Sequence, residues 1–151
     1  MSRTLVIGIG NPLRGDDGLG WRAVEALRRT AYVQEVDTIT CHQLTPELAE
    51  TAAAADCVIF IDACIGNPPG RIRVNRIARG QGEGQPLTHR LDPQGLMQYA
   101  RTIYGASPQA WIFSMTGADY DYREGLSAAV ESELPVLVDL TRQAALKQSS
   151  G

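Results

Sequence analysis

The sequence contains no apolar run near the roughly 18 residues that a membrane span needs, which argues against a transmembrane protein. Basic residues are scattered: 14 Lys and Arg stand against 17 Asp and Glu, for a net charge of −3. Without a basic patch, nucleic acid is not an expected partner. The three cysteines, Cys41, Cys57 and Cys64, are odd in number and never in C-x-x-C spacing, so they read as reduced or buried thiols. There is no G-x-S-x-G elbow and no H-E-x-x-H zinc-protease helix. No cysteine sits in the local sequence of a cysteine-protease nucleophile. Met1-Ser2-Arg3-Thr4 leads straight into a strand pattern, with neither the apolar region nor the cleavage signal of a secretory leader. A cytoplasmic location is expected.

What is present is an apolar fraction of 44% over 151 residues, enough for one domain with a substantial core. No internal repeat or linker interrupts it, so residues 1–151 are expected to form a single domain, with a monomer as the default state. Residues 5–9 are a short continuous apolar run, the mark of a strand buried on both faces. Leu19, Trp21, Val24 and Leu27 follow at helical spacing within residues 18–30, and residues 33–40 alternate as a second strand. Thr45-Pro46-Glu47 opens a helix to about Ala55, and residues 57–62 form the clearest buried strand. This β-α-β-α-β order predicts a three-layer αβα fold around a mostly parallel, about five-stranded twisted sheet. The link at residues 66–70 is too short for a parallel crossover, so residues 71–77 are expected to run antiparallel to the third strand. Residues 78–85 read as a loop, Asp92-Pro93 opens a helix carrying Leu96, Met97 and Ala100, and residues 110–115 form a fifth strand. Ser127 can cap a last helix to about Lys147, which Pro135 should kink.

The chemistry concentrates in residues 8–18, Gly-Ile-Gly-Asn-Pro-Leu-Arg-Gly-Asp-Asp-Gly. The glycines turn a strand sharply into a helix, which alone invites a nucleotide. A pyrophosphate would rest on the helix N-terminus, where N–H groups and dipole favour an anion. Asp16 and Asp17 stand in that place and would repel it. The dinucleotide fingerprint also fails at its third glycine, which falls on Leu13, and Cys41-His42 occupies the place of the ribose-binding acid. No nucleotide is expected. One Asp at a helix start is explained as an N-cap; a second beside it suits a cation. Asp62 closes the third strand, and ligands of open parallel sheets gather outside strand carboxyl ends at the switch in strand order. Asp16, Asp17 and Asp62 are therefore expected close together, raising one another's pKa values. The chain has two histidines. His42 or His89 could complete a set for a divalent transition metal such as zinc or nickel; spacing does not choose between them.

Residues 8–20 resemble the N-terminal motif of the nickel–iron hydrogenase maturation endopeptidases. Val58-Ile59-Phe60-Ile61-Asp62-Ala63 is similar to that family's second motif and Thr88-His89-Arg90-Leu91 to its third, and the similarity spans essentially the whole chain. The resemblance implies an endopeptidase that removes a short C-terminal extension from the precursor of a hydrogenase large subunit after nickel insertion. It implies Asp17, Asp62 and His89 as metal-binding and catalytic residues, with Asp16 as their acidic neighbour in the catalytic set, and so selects His89 over His42. Nickel would arrive in the substrate, held mainly by substrate cysteines, making the nickel-loaded precursor the implied partner. Two readings compete with this one: a nucleotide-binding α/β enzyme, and a non-catalytic nickel metallochaperone using the same carboxylates.

Overall fold

The computed structural model describes residues 3–30, 36–78 and 91–150. His89 lies outside the described residues, as do residues 33–35 of the expected second strand and all but the first of the expected loop at 78–85. The chain runs β1 (Thr4–Ile9), a 3₁₀ turn (Gly15–Gly18), α1 (Leu19–Arg28), β2 (Val36–Cys41), α2 (Leu48–Ala53) and β3 (Cys57–Cys64). It continues through β4 (Ile72–Arg76), α3 (Pro93–Tyr104), β5 (Gln109–Thr116) and α4 (Ala128–Ser150). The strands form one sheet in the order β2-β1-β3-β5-β4. Every pairing is parallel except β4 with β5.

Period-two alternation in the central strands builds the layers. Leu5, Ile7 and Ile9 of β1 and Val58 and Phe60 of β3 face one side, where Ala49 and Ala52 of α2 and Leu96 and Ala100 of α3 cover them. Val6, Ile59 and Ile61 face the other side, against Leu19, Val24 and Leu27 of α1 and Val130 and Leu137 of α4. Phe60 and Leu96 are wholly buried; each such side chain contributes about 1.5–3 kcal/mol of transfer free energy. Burial also pushes the Cys57 thiol up to about 11, with the Asp56 charge adding to it, as befits a core cysteine. All three cysteines are free. No described helix is long and apolar enough to cross a membrane.

Several expected boundaries shift. β4 does run against the other strands, but its neighbour is β5 and not β3, because β5 inserts between them in parallel register with β3. Asp62 does not close its strand. Ala63 and Cys64 continue the ladder opposite Met115 and Thr116, while the β1 ladder stops at Gly8 opposite Ile61. Asp62 thus stands one residue beyond the last β1–β3 pair, level with Ile9 at the end of β1. The second helix begins at Leu48, since Thr45 and Pro46 form a preceding turn whose carbonyls accept from the N–H groups of Leu48 and Ala49. Asp92 caps α3 as expected, accepting from the Gly95 N–H at 2.7 Å. The last helix passes through Pro135 and extends to Ser150.

Candidate active site

The chain leaves β1 to form β2 on one side and then returns to form β3 on the other. The switch in strand order therefore falls between β1 and β3, where side chains beyond the strand ends are left uncovered. A cleft of about 610 Å³ opens at this edge, and Asp17, His42 and Asp62 all line it.

Backbone geometry sets Asp17 in place. Gly10 has φ of 138°, and a Cβ there would stand 1.8 Å from the Asp17 carbonyl oxygen. Only glycine lets the chain fold back this tightly. The Asn11 side chain accepts from the Leu13 N–H at 2.9 Å, while the Asn11 N–H donates to Asp17 Oδ2 at 3.0 Å. At Gly20, a Cβ would approach the Ile9 nitrogen to 2.5 Å and the Ile61 oxygen to 2.6 Å. That glycine seats the first turn of α1 directly on β1 and β3.

Asp16 takes a different direction from its neighbour. It is fully buried, and it is not among the residues lining the cleft. Its Oδ2 accepts from the N–H groups of Ala118 and Asp119 at 2.7 and 3.0 Å and from the Ser127 hydroxyl at 2.8 Å; its Oδ1 accepts from the Ser127 N–H at 2.7 Å. Burial pushes its pKa up, but the hydrogen bonds from Ser127, Ala118 and Asp119 together outweigh burial, so the net shift is downward. The expectation of mutually raised acids thus gives way at Asp16, because four donors compensate the charge. Asp16 staples the turn after β1 to the segment that enters α4.

The remaining walls come from other strand ends. The Cys41 carbonyl accepts from the Gly10 N–H at 2.9 Å and from the Trp21 indole at 3.1 Å. This fixes the end of β2, and His42 beside it lies edge-on to the Trp21 ring at 5.4 Å. Leu44 bridges Leu91, tying this wall to the entry of α3, where Asp92 also lines the cleft. Burial raises the Cys41 thiol pKa, and the Asp62 charge raises it further. Tyr120, also on the lining, donates its hydroxyl to the Cys64 carbonyl at 2.7 Å. Its pKa is raised chiefly by burial, with Cys64, Asp16 and Asp17 adding to it against a Gly117 hydrogen bond. Neither Tyr120 nor Arg14, a further lining residue, is singled out by the sequence: Tyr120 lies in a polar loop, and Arg14 is hidden among the glycines of the first motif.

Carboxylate oxygens from Asp17 and Asp62 offer hard donors suited to a divalent cation or to an activated water. Among the described residues, no three His, Cys, Asp or Glu side chains are grouped so as to hold a metal. The described donor set is therefore partial, and His89, the third member of the expected set, lies outside it.

The three-layer αβα fold thus brings two carboxylates, Asp17 and Asp62, onto one cleft at the strand switch. No family model and no curated protein sequence matches the chain, but solved structures do. The hydrogenase maturating endopeptidase HybD from Escherichia coli superposes with a TM-score of 0.78 at 26% identity, covering 97% of this chain and 93% of that one. A hydrogenase 2 maturation peptidase from a Thaumarchaeota archaeon superposes with a TM-score of 0.71 at 28% identity, covering 94% and 97%. The [NiFe] hydrogenase maturation protease HycI from Thermococcus kodakarensis, at 23% identity and a TM-score of 0.75, shares the fold over 94% and 91% of the two chains. In fold, and at 26–28% identity in sequence, the chain is similar to hydrogenase maturation endopeptidases over more than nine-tenths of its length.

Proposed function

We propose that this protein is a processing endopeptidase that removes a short C-terminal extension from the precursor of a nickel–iron hydrogenase large subunit, acting after nickel insertion. One observation carries the reading: Asp17, from the turn after β1, and Asp62, within β3, line a single cleft at the switch in strand order. The likeness to maturation endopeptidases over more than nine-tenths of both chains supports it. In this reading Asp17, Asp62 and His89 meet the substrate's nickel, which remains held mainly by substrate cysteines. A metal so placed supplies Lewis acidity toward a carbonyl or a water. Asp17 and Asp62 add carboxylate donors on the cleft wall, and a carboxylate there can also take a proton from an attacking water. Asp16 keeps Asp17 in register from behind. Selectivity follows from the same arrangement, because a precursor without nickel lacks the group that docks its tail.

The test is to incubate the purified protein with nickel-loaded and nickel-free precursor and to weigh the large subunit. Loss of the extension only from the nickel-loaded form supports the proposal. Nickel transfer with no change in mass would replace it with a metallochaperone.

A further inference from the structure

The rim of the cleft carries a cation that the chemistry of Asp17 and Asp62 does not use. Arg14 is the one lysine or arginine among the described lining residues, in a cleft that also presents Asp17, Asp62 and Asp92. No carboxylate among the described residues pairs with it. Its guanidinium instead lies over the ring of Tyr122, 5.2 Å from the centroid, and that ring is 83% exposed. A guanidinium held over a ring face is attracted by the ring without spending its five N–H donors on a carboxylate or carbonyl. A planar fork of that kind matches a carboxylate with two parallel hydrogen bonds.

The pair is also held ready. The Leu13 carbonyl accepts from the Arg123 N–H at 2.9 Å, and the Gly15 N–H donates to the Arg123 carbonyl at 2.8 Å. These two bonds latch the segment carrying Arg14 to the segment carrying Tyr122. Arg123 itself is neutralised by Asp119 at 2.6 Å, so it does not compete for the same anion. Leu13 and Ile65, 53% and 94% exposed, flank the rim with apolar surface. A multiply charged anion would be repelled by the acids inside the cleft. A single carboxylate on a peptide with apolar neighbours fits both features.

We propose that Arg14, held over Tyr122, is a positioning residue that receives one carboxylate of the peptide being cut and orients that peptide across the cleft. This rests on the endopeptidase reading above. The carboxylate is either an acidic side chain of the extension or its free C-terminus.

The test measures processing kinetics of the nickel-loaded precursor by the parent, Arg14→Gln, Arg14→Lys, Tyr122→Phe and Tyr122→Ala. Arg14→Gln is expected to raise KM by roughly ten- to a hundredfold, the range of a charge-assisted hydrogen bond, with kcat little changed. Arg14→Lys should fall between the two, keeping charge without the fork. Tyr122→Phe should match the parent, because it keeps the ring face, and Tyr122→Ala should raise KM. Two altered precursors identify the source: one with the acidic side chains of the extension changed to amides, the other ending in a carboxamide. The altered precursor that no longer distinguishes the parent from Arg14→Gln carries the bound carboxylate. If Arg14→Gln matches the parent on the unaltered precursor, or lowers kcat with KM unchanged, the proposal is overturned while the endopeptidase reading stands. If the parent itself leaves the nickel-loaded precursor uncut, the reading beneath falls and the proposal falls with it.

Discussion

Replacing Asp16 should cost more stability than replacing either acid of the cleft. Asp16→Ala strips the acceptor from three backbone N–H groups and one hydroxyl that are aimed at a fully buried carboxylate. A buried group left without its partner costs about 1–3 kcal/mol. Allowing for partial rehydration of the four donors, the expected loss is about 3–5 kcal/mol. Asp16→Asn keeps one oxygen for the Ala118, Asp119 and Ser127 hydroxyl donors but sets its amide NH₂ against the Ser127 N–H; about 2–3 kcal/mol should be lost. The pH dependence has a defined sign. The folded pKa of Asp16 lies below its ordinary value, so the unfolded chain binds this proton more readily. Its contribution is complete above the unfolded aspartate value of about 3.9 and is lost as pH falls through the folded value. Asp16→Asn should lack this component of acid destabilisation. Urea unfolding of the parent and both variants, near neutral pH and in steps down the acid range, measures both effects. A loss below about 1 kcal/mol for Asp16→Ala would refute the stapling role, as would an Asp16→Asn acid profile identical to the parent's.

The cleft acids should behave in the opposite way. Asp17→Asn and Asp62→Asn are expected to leave stability unchanged or raise it by about 0.5–2 kcal/mol, because functional sites hold charge that the fold does not need; denaturant melting shows this, and losses of several kcal/mol would make these acids structural. Added nickel, cadmium or zinc should stabilise the parent more than either variant, read as a larger shift of the melting midpoint with each metal alone. Between the histidines, His89→Ala should impair processing more than His42→Ala, and a reversed ranking in a cleavage assay would move the third ligand to the residue beside Trp21. NAD and ATP should show no saturable micromolar binding by calorimetry, since carboxylates occupy the turn where phosphates would sit.

Much of this organisation is legible in the chain because its causes are local. The run from Thr4 to Ile9 and the run from Cys57 onward are apolar on both faces, so they read as central strands and stand side by side in the sheet. Gly10 and the Asp16-Asp17 pair announce a tight turn carrying charge, and the turn lies at the predicted edge of the sheet. The division of labour between the two acids is not legible, because the partners of Asp16 lie 102 to 111 residues away. The same limit hides the neighbour of β4: its direction follows from a short link, but its place depends on where β5 inserts. Arg14 and Tyr122 meet only because the turn after β1 and the loop before α4 are hydrogen-bonded together, a contact with no sequence periodicity behind it.

The most direct measurement of the central claim is the intact mass of a nickel-loaded large-subunit precursor after incubation with the parent protein and with Asp17→Asn and Asp62→Asn, each variant first verified as folded. The expected result is loss of the C-terminal extension with the parent and an unchanged mass with both variants. Cleavage by both folded variants at the parent's rate would contradict the assignment of this cleft as the site of processing.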